Sequence, residues 1–204
     1  MYKKLVIVFE GIEGSGKSSH INYVSKYLKK RGISFIKIRE PGGSLNSEKI
    51  RNLILHNKSS FKKNTDLLLY LAARSENMEI LLKSYKKKVI LIDRFIDSTI
   101  AYQHYGLGVN LSLINFINKH ILGKFKIDFT FLNIVSKKNM VDRLKKRRSL
   151  NRYDKFGHNF YSKVQSGFIK ISKKNNKKYM IIDSNKDISF NKKIIQKKID
   201  KLFK

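Results

Sequence analysis

A glycine-rich loop motif constrains the fold of this chain more than any other feature of its sequence. Residues 11–18 read GIEGSGKS and fit the pattern G-x-x-x-x-G-K-[ST] at every position. The apolar run LVIVF at 5–9 indicates a buried strand before the loop, and residues 18–30 carry apolar side chains at helical spacing after it. This order predicts a loop that holds a nucleoside triphosphate with Gly11, Ile12, Glu13, Gly14, Ser15, Gly16, Lys17 and Ser18.

Each part of such a loop has a physical task. Glycines allow backbone N–H groups to turn toward phosphate oxygens, and the helix after the loop directs the positive end of its dipole to the same point. Lys17 adds a full charge at the terminal phosphates, and the Ser18 hydroxyl is a ligand for Mg²⁺. The loop therefore predicts a bound triphosphate with its magnesium ion.

The charge of the chain suggests a second kind of ligand. Its 45 Lys and Arg residues exceed its 15 acidic residues, for a net charge of +30, which is typical of proteins that bind nucleic acid. The lysines are spread along the whole chain, however, and form no dedicated tail. We expect no specific nucleic-acid partner; a nucleic-acid-associated NTPase or a GTPase is the alternative, although the guanine-reading pattern N-K-x-D of GTPases does not occur in the sequence.

Length and composition predict one domain. A chain of 204 residues is long enough for one buried core and short for two. It has no cysteine, and we find neither an apolar leader nor an apolar run of membrane-spanning length. We expect a single domain over residues 1–204, located in the cytoplasm and not bound to a membrane.

Strand-like and helical segments alternate along the chain. Further strands are predicted at 34–38, 89–92, 128–134 and 178–183. Helices are predicted at 45–56, at 65–84, from Ser98, from Ser136 toward Arg152 with a break at 149–151, at 157–175 and at 188–203. The helix at 65–84 carries the apolar stripe Leu67, Leu68, Leu71, Leu81 and Leu82. The alternation predicts an α/β fold with a parallel sheet and a ligand at the carboxyl ends of its strands.

Two further segments carry candidate site residues. Asp93 and Arg94 end a predicted strand, where a carboxylate supports Mg²⁺ and an arginine meets a transferring phosphoryl group. Tyr70 and Arg74 are four residues apart and share one face of a helix. A ring beside a guanidinium could hold a nucleobase. Alternatively, Tyr70 belongs to the core and Arg74 is a cation on the helix surface, and the local sequence leaves both interpretations open.

Taken together, these segments resemble the thymidylate kinase family, bacterial type. The resemblance rests on FEGIEGSGKSS at 9–19, REPGG at 39–43, EKIR at 48–51, AAR at 72–74, DRF at 93–95, STIAYQ at 98–103 and a lid-like segment near 147–154, so it covers nearly the whole chain. It implies a P-loop nucleoside monophosphate kinase fold, with a five-stranded parallel sheet flanked by helices and a lid at about 143–157. It further implies transfer of the γ-phosphoryl group of Mg-ATP to dTMP, giving dTDP, by a homodimer.

The resemblance also assigns roles to individual residues. Lys17 and Ser18 match contacts to ATP phosphates and Mg²⁺, and Asp93 is a second residue of the metal site. The implied catalytic residues are Lys17, Arg94 and the lid residues Arg147, Arg148 and Arg152. The implied dTMP contacts are Glu13 at the sugar, Arg39, Pro41, Arg51 and Arg94 around the phosphate, Tyr70 stacked on the base, Arg74, Thr99 and Gln103 bonded to the base, and Tyr102 at the 2′ position.

Three positions depart from the family pattern or vary within it. Gly14 stands where another branch of the family has arginine, which implies that lid arginines supply the missing charge. Tyr70 replaces the usual phenylalanine and adds a hydroxyl that needs a partner, and Asn151 precedes Arg152 where aspartate is common. A kinase for another nucleoside monophosphate is the nearest alternative function.

Overall fold

The computed structural model describes residues 2–146 and 151–204. The helices and strands follow one another as β1 (Val6–Gly11), α1 (Lys17–Lys30), β2 (Phe35–Arg39), α2 (Leu45–Leu55), α3 (Lys63–Ser84), β3 (Val89–Asp93), α4 (Ile96–Thr99), a π-helical segment (Ile100–Gly106), α5 (Leu111–Leu122), β4 (Phe129–Ile134), α6 (Lys137–Lys145), a 3-10 turn (Tyr153–Lys155), α7 (His158–Lys174), a second 3-10 turn (Asn176–Lys178), β5 (Tyr179–Asp183) and α8 (Ile188–Phe203).

The strands form one parallel sheet in the order β2-β3-β1-β4-β5. β1 lies at the centre and is buried over its full length, because helical crossovers cover both faces of a parallel sheet. In register, Phe9 pairs with Asp93 of β3 and Gly11 with Asn133 of β4. The predicted α/β fold with a five-stranded parallel sheet is confirmed, and the loop after β1 opens between the carboxyl ends of β3 and β4.

Alternate residues of β1 belong to two separate parts of the core. Ile7 and Phe9 pack with residues of α1 and α8 on one face of the sheet. Val6 and Val8 pack with residues of α3 and β3 on the other. A third apolar cluster joins Ile12, the π-helical segment and α7 above the carboxyl ends of the strands. This third cluster forms the wall against which the candidate site is built.

Two helical predictions need correction. The helix expected from Ser136 toward Arg152 ends at Lys145, and Arg147 and Arg148 lie outside the described residues. The sequence also predicts a helix that opens at Ser98, and this helix changes form at Ile100, since the Leu107 N–H donates to the Tyr102 carbonyl five residues earlier, at 3.0 Å. A π-helical stretch of this kind often marks a functional site. Helix α5, at 111–122, was not predicted.

The apolar stripe predicted for α3 is only partly buried. Leu67, Leu71 and Leu81 lie in the core, but Leu68 and Leu82 are 55% and 50% exposed. The prediction was wrong for these two leucines because adjacent residues on a helix point about 100° apart. Across residues 2–146 and 151–204, no helix combines the length and apolar character that a membrane span requires.

Candidate active site

Close contacts and positive φ angles favour glycine at two positions of the loop between β1 and α1. Gly11 has φ 137°, and a Cβ there would lie 2.2 Å from the Asn133 carbonyl oxygen. Gly14 has φ 70°, and a Cβ there would lie 3.2 Å from the carbonyl oxygen of Met140 in α6. Both φ values lie in the region that L side chains rarely adopt. The loop is therefore held between β4 and α6 with its shape fixed by backbone contacts.

Lys17 lies buried at the start of α1. Its Nζ donates to the Ile12 carbonyl oxygen at 3.0 Å, and the side chain is 7% exposed. Burial, and next the positive charge of Arg94, lower the pKa of Lys17 to about 8. Two cations thus lie near one another in a partly dry site, which favours an anion between or beside them. Ser18 is the next residue, and its hydroxyl donates to Asp93 Oδ2 at 3.4 Å.

Arg94 ties the end of β3 to the phosphate loop. Its Nη1 donates to the Gly11 carbonyl oxygen at 2.8 Å and to Ser98 Oγ at 3.3 Å, and its Nη2 pairs with Glu13 Oε1 at 2.8 Å. Burial opposes the charge of Arg94, but the Glu13 carboxylate raises its pKa above the ordinary value. Tyr102 donates its hydroxyl to the other oxygen of Glu13. Glu13 is therefore held ionised, with its pKa lowered by Arg94 and Lys17 against the effect of burial.

The sequence analysis missed a buried carboxylate beneath Arg94. Glu10 of β1 has no exposed surface and accepts from the Phe95 N–H at 2.8 Å and from Ser98 Oγ at 2.6 Å. Burial raises the pKa of Glu10 and raises that of Asp97 nearby to about 7. A charged residue within an otherwise apolar strand was the signal available in the sequence. Glu10 fixes the turn that carries Arg94 into α4.

Arg74 lies at the centre of a buried polar network. Its Nε donates to Glu40 Oε2 at 2.8 Å, its Nη1 to Asn118 Oδ1 at 2.6 Å and its Nη2 to Thr99 Oγ1 at 3.0 Å. The side chain is 2% exposed, so the alternative of a surface cation does not hold. Because three elements hold the guanidinium, its position is fixed before any ligand arrives.

Two arginines occupy the entrance beside β2 and α2. Arg51 Nη1 donates to the Pro41 carbonyl oxygen at 2.6 Å, and burial lowers the pKa of Arg51. Arg39 is more exposed and pairs with Glu48 at 2.9 Å. Both cations therefore lie close to Pro41 in the lining of the site.

These residues surround a cleft of about 220 Å³. Thirteen residues predicted for the site line it: Glu13, Lys17, Ser18, Arg39, Pro41, Arg51, Tyr70, Arg74, Asp93, Arg94, Thr99, Tyr102 and Gln103. Leu55, Asn151 and Tyr153 complete the wall near α2 and the lid. The cleft thus joins a cation-rich end at the loop to an aromatic and amide-bearing end between α3 and the π-helical segment.

The lid-like segment contacts the acceptor end of this cleft. Arg152 Nη2 pairs with Asp66 of α3, and Arg152 does not line the cleft. Tyr153 does line it, and its hydroxyl donates to the same aspartate. The hydroxyl that Tyr70 adds makes its hydrogen bond with Tyr153, and burial raises the pKa of Tyr70. Asp66 and Tyr153 were not predicted, since their pairing joins segments far apart in sequence.

The sequence analysis placed Arg143 of α6 at the start of the lid but gave it no role of its own. Its Nη1 donates to the Gly14 carbonyl oxygen at 2.9 Å and its Nη2 to the Ser184 carbonyl oxygen at 2.6 Å. The first residue of the predicted lid therefore braces the phosphate loop. Its position four residues from the lid arginines was the only available signal.

A phosphate loop, an arginine at the end of β3 and an adjoining cleft for a small planar acceptor define a P-loop nucleoside monophosphate kinase. The family model for thymidylate kinase matches residues 9–195. The chain therefore belongs to the thymidylate kinase family, and it phosphorylates dTMP to dTDP with ATP as the phosphoryl donor.

Individual relatives agree with this assignment. A thymidylate kinase of Thermosipho africanus is 38% identical over 186 residues, which cover 90% of this chain and 92% of the relative. One of Acholeplasma laidlawii is 36% identical over 187 residues, covering 90% and 92%. The crystal structure of thymidylate kinase from Ehrlichia chaffeensis superposes with a TM-score of 0.78 at 33% identity and covers 96% of this chain and 98% of that one.

Proposed function

We propose that the cleft holds the two nucleotides end to end, with ATP on the phosphate loop and dTMP between α3 and the π-helical segment. The observation that supports this arrangement is that the cations and the base-sized end line one cleft. Lys17 and the loop N–H groups bind the ATP phosphates, and Arg51, Arg94 and Arg39 beside Pro41 bind the acceptor phosphate. Little covalent work is needed from the protein in phosphoryl transfer, so alignment and charge neutralisation carry the catalysis.

The acceptor nucleoside is assigned to the other end. Glu13 meets the sugar 3′ hydroxyl, and Tyr102, held by Glu13, crowds the 2′ position and favours deoxyribose. Tyr70 stacks on the base, while Arg74, Thr99 and Gln103 bond to its edge. Arg74 and Thr99 already bond to each other at 3.0 Å. The base therefore meets groups that are fixed in advance, which lowers the entropic cost of binding.

Mg²⁺ is assigned to Ser18 and Asp93. The two side chains meet at 3.4 Å beside the loop, and hard oxygen donors supplemented by substrate phosphates suit this ion. When bound, Mg²⁺ would neutralise charge on the transferring phosphoryl group. Asp93→Asn should raise the magnesium concentration needed for half-maximal activity, and an unchanged requirement would argue against Asp93.

We further propose a homodimer and a lid. Leu68 and Leu82 are about four helical turns apart on α3 and both exposed, and we assign a second copy of the chain as their cover. Light scattering that gives a mass of only 23.9 kDa would contradict this.

We propose one domain over 1–204 in which residues near 143–157, including the catalytic candidates Arg147, Arg148 and Arg152, close over ATP and exclude water. A cytoplasmic location, where both substrates occur, completes the proposal and is testable by cell fractionation.

The affinity for ATP should fall as pH rises through about 8, the pKa to which burial lowers Lys17. Only protonated Lys17 attracts phosphate, and about a tenth of it remains protonated one pH unit above the pKa, so the loss should approach tenfold at pH 9. Calorimetric titration of ATP between pH 6.5 and 9.5 measures this. The matched variant Lys17→Arg keeps its charge throughout, so the same pH dependence in that variant would contradict the assignment.

Gln103→Ala should narrow the preference for dTMP over dCMP and dGMP by about 1–3 kcal/mol, because the base edge would lose a buried partner. An ADP-release assay with dTMP, dUMP, dCMP and dGMP gives the four values of kcat/KM. Gln196→Ala serves as the matched control, since that amide pairs with Tyr23 of α1. An unchanged acceptor preference in Gln103→Ala would place the base pocket elsewhere.

A further inference from the structure

Tyr153, a residue of the lid-like segment, is built into the acceptor pocket. It is 2% exposed, and its ring contacts Tyr70 and Tyr102 edge to face, with centroids 6.0 and 5.7 Å away. The Tyr161 hydroxyl donates to its carbonyl oxygen at 2.6 Å, and the Asn151 side chain accepts from its N–H at 2.8 Å. The side chain therefore has one fixed position against the base-sized end of the cleft.

The hydrogen bonds of Tyr153 determine which way the Gln103 amide faces. Arg152 donates to one oxygen of Asp66 and the Tyr153 hydroxyl donates to the other, so both oxygens of this carboxylate act as acceptors. The Gln103 atom that lies 3.4 Å from Asp66 Oδ2 and 3.2 Å from Tyr153 Oη must then be the NH₂ group. The opposite orientation would set the amide oxygen against a carboxylate oxygen.

The other amide atom of Gln103 is left for a ligand. Gln103 lines the cleft and is 1% exposed. Its Oε1 is buried and has no hydrogen-bond partner among the residues that the structure describes. A buried carbonyl oxygen without a partner carries a free-energy cost until a donor meets it. The pocket is thus complete only with a ligand that brings an N–H to this oxygen.

We propose that Tyr153 is a positioning residue that fixes Gln103 as a hydrogen-bond acceptor and so selects the acceptor base. A thymine or uracil ring presents an N–H between its two carbonyls, whereas cytosine presents a lone pair at the same ring nitrogen. Because Tyr153 and Asp66 hold its NH₂ group, Gln103 presents its amide oxygen to the base. This oxygen accepts a hydrogen bond from the ring N–H of thymine or uracil and repels the ring nitrogen lone pair of cytosine. The inference rests on the proposed contact between Gln103 and the base, and it places base selection partly in the lid.

Tyr153→Phe tests this, since it removes one hydroxyl and keeps the ring. The expected result is a fall of about tenfold in the ratio of kcat/KM for dTMP to that for dCMP, the size of one hydrogen bond to a buried polar group. Tyr23→Phe is the matched control, because it removes a hydroxyl that also bonds to a glutamine amide, Gln196, between α1 and α8. The control should keep the wild-type ratio.

A double variant shows whether Tyr153 acts through Gln103. When Tyr153→Phe is added to Gln103→Ala, the ratio should change by less than about twofold, because the group being positioned is already gone. The inference would be overturned by an unchanged dTMP-to-dCMP ratio in Tyr153→Phe, whether or not kcat/KM falls equally for both substrates. A further fall of the ratio in the double variant would also overturn it. If Gln103→Ala itself leaves the ratio unchanged, the proposed base contact fails, and that result is distinct from the failure of Tyr153.

Discussion

Lys17→Ala should lower turnover with ATP and dTMP by about 10³-fold or more while the protein remains folded. One preorganised cation in phosphoryl transfer contributes on that order. The fold should survive, because the Lys17 side chain makes one hydrogen bond within residues 2–146 and 151–204, to the Ile12 carbonyl oxygen. Burial opposes the Lys17 charge and lowers its pKa, so removing this charge relieves a cost to the folded protein.

Steady-state turnover and thermal unfolding of the same samples measure the two parts of this expectation. Lys37→Ala is the matched control, since Lys37 also donates one hydrogen bond, to Asn22 at 2.9 Å, on the exposed surface of β2. Near-normal turnover in folded Lys17→Ala protein would refute the assignment of the loop to ATP.

Arg94→Lys should lower kcat/KM by on the order of 10²-fold to 10³-fold although it keeps the charge. A single ammonium on a flexible stem does not reproduce the planar guanidinium that reaches Gly11, Ser98 and Glu13 together. Arg94 also has φ 67°, an unusual value for a residue with a side chain, so the backbone as well as the side chain is adapted to this position.

An ion pair between Arg31, at the end of α1, and Asp200 of α8 supplies a control for this change. Arg31→Lys alters an arginine that pairs with Asp200 at 2.6 Å and lies near Tyr2 and Tyr27, and it should leave kcat/KM within about twofold, because exposed pairs contribute little. If Arg94→Lys behaves like Arg31→Lys, Arg94 does not bind the phosphates.

The sheet was predictable because its signals are local. Each strand is a short apolar run bounded by turn residues, and the loop motif after β1 requires a helix at its carboxyl end. Lys17, Asp93 and Arg94 were found for the same reason, since parallel strands bring their carboxyl ends to one edge. The grouping of Tyr70, Arg74, Thr99 and Gln103 came from the family resemblance, and the structure brings them to one cleft.

The residues that were missed act through contacts distant in sequence. Asp66 pairs with Arg152, which is 86 residues away in sequence, and Arg143 bonds to Gly14, which is 129 residues away. Neither pairing is visible in the hydrophobic periodicity of the sequence, because that periodicity shows which face of a helix or strand is buried and not which distant residue a polar side chain meets. Glu10 was visible as a carboxylate in an apolar strand, but its partners in α4 were not.

The contact of Gly14 with α6 restricts how such a sequence can diverge. A side chain at position 14 would begin 3.2 Å from the Met140 carbonyl oxygen and would have to adopt φ 70°, so an arginine in the loop requires α6 to shift by a few tenths of an ångström and the backbone to adjust. Helix α6 also supplies Arg143, which bonds to this glycine. A change that moves cationic charge from the lid into the loop is therefore expected to be accompanied by a change in α6, so that positions 14 and 143 vary together.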